Sequence, residues 1–341
     1  MEIAIEARPP LRCSYLLLTF LQHTDNPFAT NIRFDSRTKP SALASLPGSS
    51  VCPYATSMRV CAAKPPASAI TTALHSVKSL IDAAQGSCSK EQESAMVSVM
   101  TSLSASASAA GDGISSLGAK SMVGALGSMV GGGGSSDGSK LSDSVGSLAD
   151  ALTSNQVAGE DSPQINSASL ALQASKASAS DLNSGNAALG CSSPGAAAFS
   201  TPPGMLDVVD GASVSAVAAA YTTSPFASSR SIGSGVSSLA FSDGGGGSVP
   251  VEGLAAPIVL MMPLTAAPSG NSSSRRLLTA SGDGTVETCR YFNHNKAPTP
   301  DWDGEGCITV GCSSGQLVCH CFHLTEFGSA NDSPTTKSYL Q

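Results

Sequence analysis

The sequence predicts an α+β protein in which a helical subdomain precedes a β-sandwich. Apolar residues recur at helical spacing from Ile70 to Leu152, they alternate with polar residues from Ala168 onward, and five of the ten cysteines crowd into residues 289–321. Helices followed by strands is the order of a segregated α+β chain. At 341 residues the chain is long enough for about two domains.

Residues 1–66 mix Pro, Arg and polar residues without a sustained period and read as irregular or disordered. The first helix carries Ile70, Ala73, Leu74, Val77, Leu80, Ile81 and Ala84 on one stripe. A second begins after Ser89, with Gln92 placed to complete a capping box, and its stripe is Met96, Val99, Met100 and Leu103. A third carries Ile114, Leu117, Met122, Ala125 and Met129, but Gly118, Gly124 and Gly127 each cost it up to about 1 kcal/mol. Residues 131–136 read as a flexible linker, and a fourth helix carries Leu141, Val145, Leu148, Ala149 and Leu152.

Beyond Pro163 the period is 2. Ala168, Leu170 and Leu172 predict a strand, Leu239 and Phe241 pair with Val249 and Val251 as a hairpin around Asp243-Gly244, and Ile258 to Met262 predicts a more continuous apolar strand. The Ser/Ala/Gly passages 104–113, 184–204 and 221–236 read as loops or disorder. The boundaries are 1–66, 67–153 (helical), 154–329 (sheet, with its motif at 286–329) and a polar tail at 330–341.

Composition excludes several functions. The net charge of −7 comes from scattered acids with no basic run to neutralise phosphates, so nucleic acid is not an expected partner. The glycine runs lack a following Lys-Ser/Thr, so no phosphate loop or cofactor is expected. No signal peptide is evident in Met-Glu-Ile-Ala-Ile-Glu, and the longest apolar run, 254–267, is interrupted by Pro257 and Pro263 and too short to span a bilayer. Cys13, Cys52, Cys61, Cys88 and Cys191 are dispersed and read as buried or incidental thiols.

The informative stretch is the C-terminal cluster. Cys289 is followed by Tyr291 and Phe292, and the single Trp, Trp302, precedes Gly306-Cys307. Bridges and rings together make a small core where little else would. Cys307, Cys312, Cys319, Cys321 and His323 also offer soft ligands, but zinc favours Cys-x2–4-Cys and fits Cys-x-Cys poorly, so bridges are preferred and no metal is expected. Cys319 and Cys321 share one face of a strand, and His323 and Thr325 share it too if the strand continues. A neutral imidazole at His323 can take the Thr325 hydroxyl proton, and the oxygen can attack the Leu324 carbonyl to form an ester that water hydrolyses. His75, beside a helical stripe, and His294, in a polar loop, read as bystanders.

Cys-x-aromatic-aromatic, Trp-x-x-x-Gly-Cys and Cys-x-Cys-x-His-Leu-Thr-x-Phe stand in order as Cys289, Tyr291, Phe292, Trp302, Gly306, Cys307, Cys319, Cys321, His323, Leu324, Thr325 and Phe327. This resembles the GPS motif that closes the GAIN domain of adhesion G-protein-coupled receptors and polycystin or sperm-receptor-like proteins. The resemblance implies a GAIN-A-like helical part and a disulfide-braced GAIN-B-like sandwich. It implies bridges Cys289–Cys319 and Cys307–Cys321, which spacing alone does not select from the three connectivities of four cysteines. It also implies autoproteolysis between Leu324 and Thr325, at most one turnover, with the cut C-terminal strand held noncovalently. The location implied is the extracellular side of a membrane, with an unknown extracellular ligand and the missing membrane portion of a parent protein as partners. Cys312 is extra to the motif, and the polar residues after Phe327 depart from it; the chain reads as a fragment. The alternative is a non-cleaving structural or adhesion module.

Overall fold

The computed structural model describes three short strands within residues 2–35 and, from 67 to 332, all residues except 85–89, 112, 132–137, 161–163, 186–187, 194, 207–212, 229–231, 233, 244–246, 264–285 and 314. Cys13, Cys52, Cys61, Cys88, the Ser89 cap, the 132–136 part of the linker and the hairpin tip lie outside them, as does the tail beyond 332. The chain divides into two compact units, Met1–Asn155 and Gln156–Gln341.

In the first unit, β1 (Glu2–Ile5), β2 (Tyr15–Leu21) and β3 (Asn31–Asp35) form an antiparallel sheet inside the stretch read as irregular. Four helices follow: α1 (Ala67–Ala84), α2 (Lys90–Ala110), α3 (Ser116–Gly131) and α4 (Gly138–Thr153). The predicted stripes supply the buried residues Ile70, Leu74, Val77, Met100, Met122, Leu141 and Leu148. Two expectations fail. Residues 104–110 are not a loop but the last turns of α2, because Ala is the strongest helix former, Ser104 and Ala107 are buried, and the Ser104 hydroxyl donates to Met122 Sδ at 2.9 Å. Leu117 is not on the buried stripe of α3, being 62 % exposed, and the glycines have a packing role instead. A Cβ on Gly118 would stand 3.1 Å from Ile114 Cγ1, and one on Gly124 would stand 2.6 Å from Lys78 Cε of α1. Small residues thus let α3 lie close to α1. Among the described residues no helix is long and apolar enough to cross a membrane.

The second unit opens with β4 (Gln164–Asn166), β5 (Leu170–Ser178), the one-turn α5 (Ala179–Asn183), β6 (Ala188–Leu189), β7 (Ala198–Ser200) and β8 (Ser213–Tyr221). It continues with β9 (Val236–Ser242), β10 (Ser248–Val249), β11 (Ile258–Pro263), β12 (Val286–Asn293) and β13 (Asp301–Asp303), and ends with β14 (Cys307–Ser313), β15 (Gln316–Cys321) and β16 (Glu326–Asp332). One sheet has the order β13-β12-β16-β9-β8-β5-β4 with β10 on β9, and the other β14-β15-β11-β7-β6. The predicted hairpin is present, Val249 facing Phe241. β6 and β7 lie in the 184–204 passage read as a loop. The strand at 258 alternates rather than burying both faces: Ile258, Leu260 and Met262 are buried while Met261 is 37 % exposed.

Alternation along these strands sends Val214, Ala216 and Ala218 of β8, Leu239 and Phe241 of β9, and Phe327 of β16 into one core with Leu260 of β11 and Leu317 of β15. The two sheets therefore pack face to face as a sandwich. β8 is buried along almost its whole length, and its alanines leave room on both faces. On the outer side Ala171 and Ala220 are covered by Ala196, with Cys191 packed beside them.

Candidate functional site

The predicted motif residues gather where the chain passes from one sheet to the other. β15 buries Leu317, Cys319 and Cys321 on one face, as a period of 2 requires, and leaves His320 on the other. Cys319 is bonded to Cys289 of β12, across the sandwich, with Cα atoms 5.9 Å apart. Cys321 is bonded to Cys307, its direct partner on β14, with Cα atoms 4.2 Å apart. One bridge ties sheet to sheet and the other ties neighbouring strands. Cys312, in β14, lies outside both bridges and packs against the core. Burial pushes the Cys191 thiol up to about 12, and its Sγ donates to the Ala218 carbonyl at 3.3 Å, so this dispersed cysteine sits as a protonated thiol.

The strand does not continue through His323. It stops at Cys321, bends over residues 322–325, and re-forms as β16 in the other sheet. His323 and Thr325 are therefore not two positions along one strand face, as expected, but two points on a four-residue crossing. Hydrogen bonds hold the crossing backbone: Phe322 N–H to Gly306 O (3.0 Å), Leu254 N–H to Phe322 O (3.1 Å) and Leu324 N–H to Val251 O (3.0 Å). Leu324 packs against the inter-sheet core. The bond between Leu324 and Thr325 is thus fixed on its N-terminal side by Val251 and on its C-terminal side by β16, which lies between β12 and β9.

His323 is half-buried on the inner side of the crossing. Its ring meets Tyr291 edge-on at 4.3 Å between centroids and lies 6.1 Å from Phe327 in stacked orientation. Gly306, with φ +78°, passes beneath it, and a Cβ there would stand 2.9 Å from His323 Cδ2 and 3.0 Å from Nε2. That close approach explains the motif glycine. Burial lowers the His323 pKa below 6.5, against the opposing pull of the Glu305 backbone and the Glu252 carboxylate, so the ring is neutral at pH 7.

The Thr325 hydroxyl has two acceptors beside it. Its Oγ1 lies 3.1 Å from the Phe292 carbonyl oxygen and 3.0 Å from Glu326 Oε2, both acceptors for its single proton. The same Oε2 lies 2.9 Å from His294 Nε2. Glu326 is only 6 % exposed. His294 in turn sits in an aromatic cluster: Phe226 stacks on Phe292 at 4.3 Å, and both meet His294 and the fully buried Trp302 edge-on. Tyr291 and Phe292, adjacent in sequence, therefore serve opposite faces, one against His323 and the other against Trp302.

Sequence reasoning missed Glu326 and His294. They are 32 residues apart, and only the antiparallel pairing of β12 with β16, Tyr291 opposite Phe327, brings them together. The available signal was chemical: an acid directly after the hydroxyl residue, in a chain with 13 % charged residues.

No curated protein matches the chain. A solved structure that is similar, the full extracellular region of zebrafish Gpr126/Adgrg6, is 14 % identical with a TM-score of 0.46, over 74 % of this chain and 34 % of that one. The chain thus spans about a third of that region's length. The family model for GPS, GAIN subdomain B, matches residues 149–329, from within α4 through Ser329 of β16. That match covers more than half of the sequence and contains both bridges and the whole crossing, and the chain belongs to the GPS family, GAIN subdomain B.

Proposed function

We propose that this chain is the extracellular, juxtamembrane GAIN/GPS module of an adhesion-receptor-like or polycystin-like membrane protein, and that it cuts its own backbone once, between Leu324 and Thr325. Residues 67–153 are the helical companion of the sandwich at 154–329. The observation that carries the reading is the position of this bond: a peptide clamped between two disulfide-linked sheets, with a hydroxyl on its C-terminal residue and a neutral imidazole, His323, beside it. Attack by Thr325 Oγ1 on the Leu324 carbonyl forms the O–C bond, expulsion of the Thr325 nitrogen breaks the amide, and water hydrolyses the resulting ester. The motif gives His323 the role of base. Its ring is held between Tyr291 and Phe327, and the hydroxyl it would deprotonate rests against Glu326.

Cutting does not release the product strand. β16 keeps its ladder to β12, from Val286 opposite Asp332 to Tyr291 opposite Phe327, and its pairing to β9. The module then joins two polypeptides noncovalently and can part under load or on binding an extracellular ligand. The test is secretion of the full chain followed by intact mass measurement in denaturant. The expected result is a fragment of the 17 residues 325–341 that is absent from Thr325→Ala. A single uncut mass for the unaltered chain overturns cleavage and leaves the module as a structural one.

A further inference from the structure

We propose that Glu252, which lies outside the motif, is a positioning residue for the base: it stands across from His323 and stabilises the imidazolium that forms when the ring takes the Thr325 hydroxyl proton. This rests on the self-cleavage reading above. Leu324 N–H donates to Val251 O at 3.0 Å, and Leu254 N–H donates to Phe322 O at 3.1 Å. These two bonds flank His323 on one segment and both Glu252 and Gly253 on the other, the pattern of an antiparallel pair in which two residues oppose one. Gly253 has φ +63°, the left-handed conformation that lets the extra residue fit. Val251 is buried, and Leu254 and Leu324 pack against the inter-sheet core, so both segments are anchored. Side chains opposite one another in such a pair have Cβ atoms about 5 Å apart, which brings the Glu252 carboxylate to the imidazole. The electrostatics agree: burial lowers the His323 pKa, and the Glu305 backbone and the Glu252 charge pull it back up.

The two ring nitrogens have different surroundings. His323 Nε2 is buried without a hydrogen-bond partner, while the ring is bonded to the Glu305 backbone, so Nδ1–H is the donor to that carbonyl and Nε2 carries the free lone pair. Three further elements meet the ring. From β12 comes the Tyr291 phenol, kept neutral because burial and the Asp303 and Glu305 charges raise its pKa. The turn before β14 brings the Glu305 backbone with its side chain exposed, and β16 brings Phe327. The carboxylate whose charge bears on the ring is therefore Glu252. In the proposed step the Oγ1–H proton passes to Nε2 as Oγ1 bonds to the Leu324 carbonyl carbon, and the imidazolium returns it to the Thr325 nitrogen as the C–N bond breaks. The shift is an isomerisation with no net proton change, and water is consumed when the ester is cut. Glu252 acts only through His323.

The test reads the ring directly and through cleavage, in the full secreted chain, with Trp302 fluorescence as the check on folding. In the uncut Thr325→Ala chain, adding Glu252→Gln is expected to lower the His323 pKa, followed by NMR titration, by about 0.2–0.7 pH unit, the size of an exposed charge pair. In the cleaving chain the ring must be neutral to act, so the acid limb of the rate profile is expected to move to lower pH by the same amount in Glu252→Gln. The plateau rate is expected to fall about twofold or more, because a weaker base takes the proton less readily. Added salt is expected to move the limb of the unaltered chain in the same direction and to leave that of Glu252→Gln in place. A merely structural role would move neither the titration nor the limb. A His323 pKa that is unchanged or raised in Glu252→Gln overturns the proposal while self-cleavage stands, and so does an unmoved limb. Should Glu252→Gln not fold, the salt series on the unaltered chain decides, and an unmoved limb overturns the proposal. If the unaltered chain never yields a Thr325 amino terminus, self-cleavage falls and this role falls with it, whatever the titration shows.

Discussion

Removing the bridge between the sheets is the perturbation whose cost follows most directly from the structure. Cys289 and Cys319 are 30 residues apart and sit on opposite sheets, buried to 3 % and 0 % exposure. Cross-linking removes loop-closure entropy from the unfolded chain, and for a loop of this length the loss is worth about 3.6 kcal/mol at 25 °C. Replacing both residues by Ala avoids burying a hydroxyl, and any gap left by the two sulfurs adds to the loss. Trp302, the single Trp, is fully buried in the second unit, so its fluorescence in a urea titration reports that unit without the helical one. With a slope of about 2 kcal/mol per molar urea, Cys289→Ala/Cys319→Ala is expected to lower the midpoint by about 1.8 M. A shift below about 0.5 M would refute the view that this bridge holds the sandwich closed.

Two further outcomes can be measured on the same material. Gly146 lies inside α4, and a Cβ added there would meet nothing within 4 Å, so Gly146→Ala is expected to stabilise the helical unit by about 1 kcal/mol through helix propensity alone, read by circular dichroism at 222 nm during thermal melting. The His323 pKa is lower folded than unfolded, so the unfolded chain binds more protons as pH falls through about 6.5 and stability is lost in that direction. His323→Phe, which keeps a ring against Tyr291 and Phe327, is expected to lose less stability than the unaltered chain between pH 7.5 and 5.5; equal losses would refute the assignment of a buried neutral ring.

Where the sequence was legible, one local rule had no competitor. Ile70, Leu74 and Val77 of α1, Leu141, Val145 and Leu148 of α4, Leu239 and Phe241 of β9 and Cys319 and Cys321 of β15 are buried where the side-chain period of their element puts them, whereas in α2 Val97 is buried in place of the expected Val99. The misreadings came from small residues. Ser and Ala at 104–110 resemble a linker by composition, yet that stretch ends a 21-residue helix because its neighbours bury Ser104 and Ala107. Glycines that look like a weakness in α3 are what its approach to α1 requires. Composition reports flexibility only when nothing is packed against the segment.

The site was legible as residues and not as geometry. The four bridged cysteines, Tyr291, Leu324 and Phe327 meet in the core between the sheets while Phe292 and Trp302 pack with Phe226, but a spacing of two positions implies one face only while a strand persists, and this chain leaves its strand at Cys321. The break has a physical cause. Cys319 must reach the opposite sheet, Cys321 must reach its neighbour on β14, and Phe327 must enter the core from β16, so the backbone between them has to cross the sandwich within four residues. At the end of the crossing the Thr325 hydroxyl lies against the Phe292 carbonyl and Glu326, and Glu326 meets His294. The contact between Glu326 and His294 is written in the pairing of β12 with β16, where no one-dimensional pattern can display it.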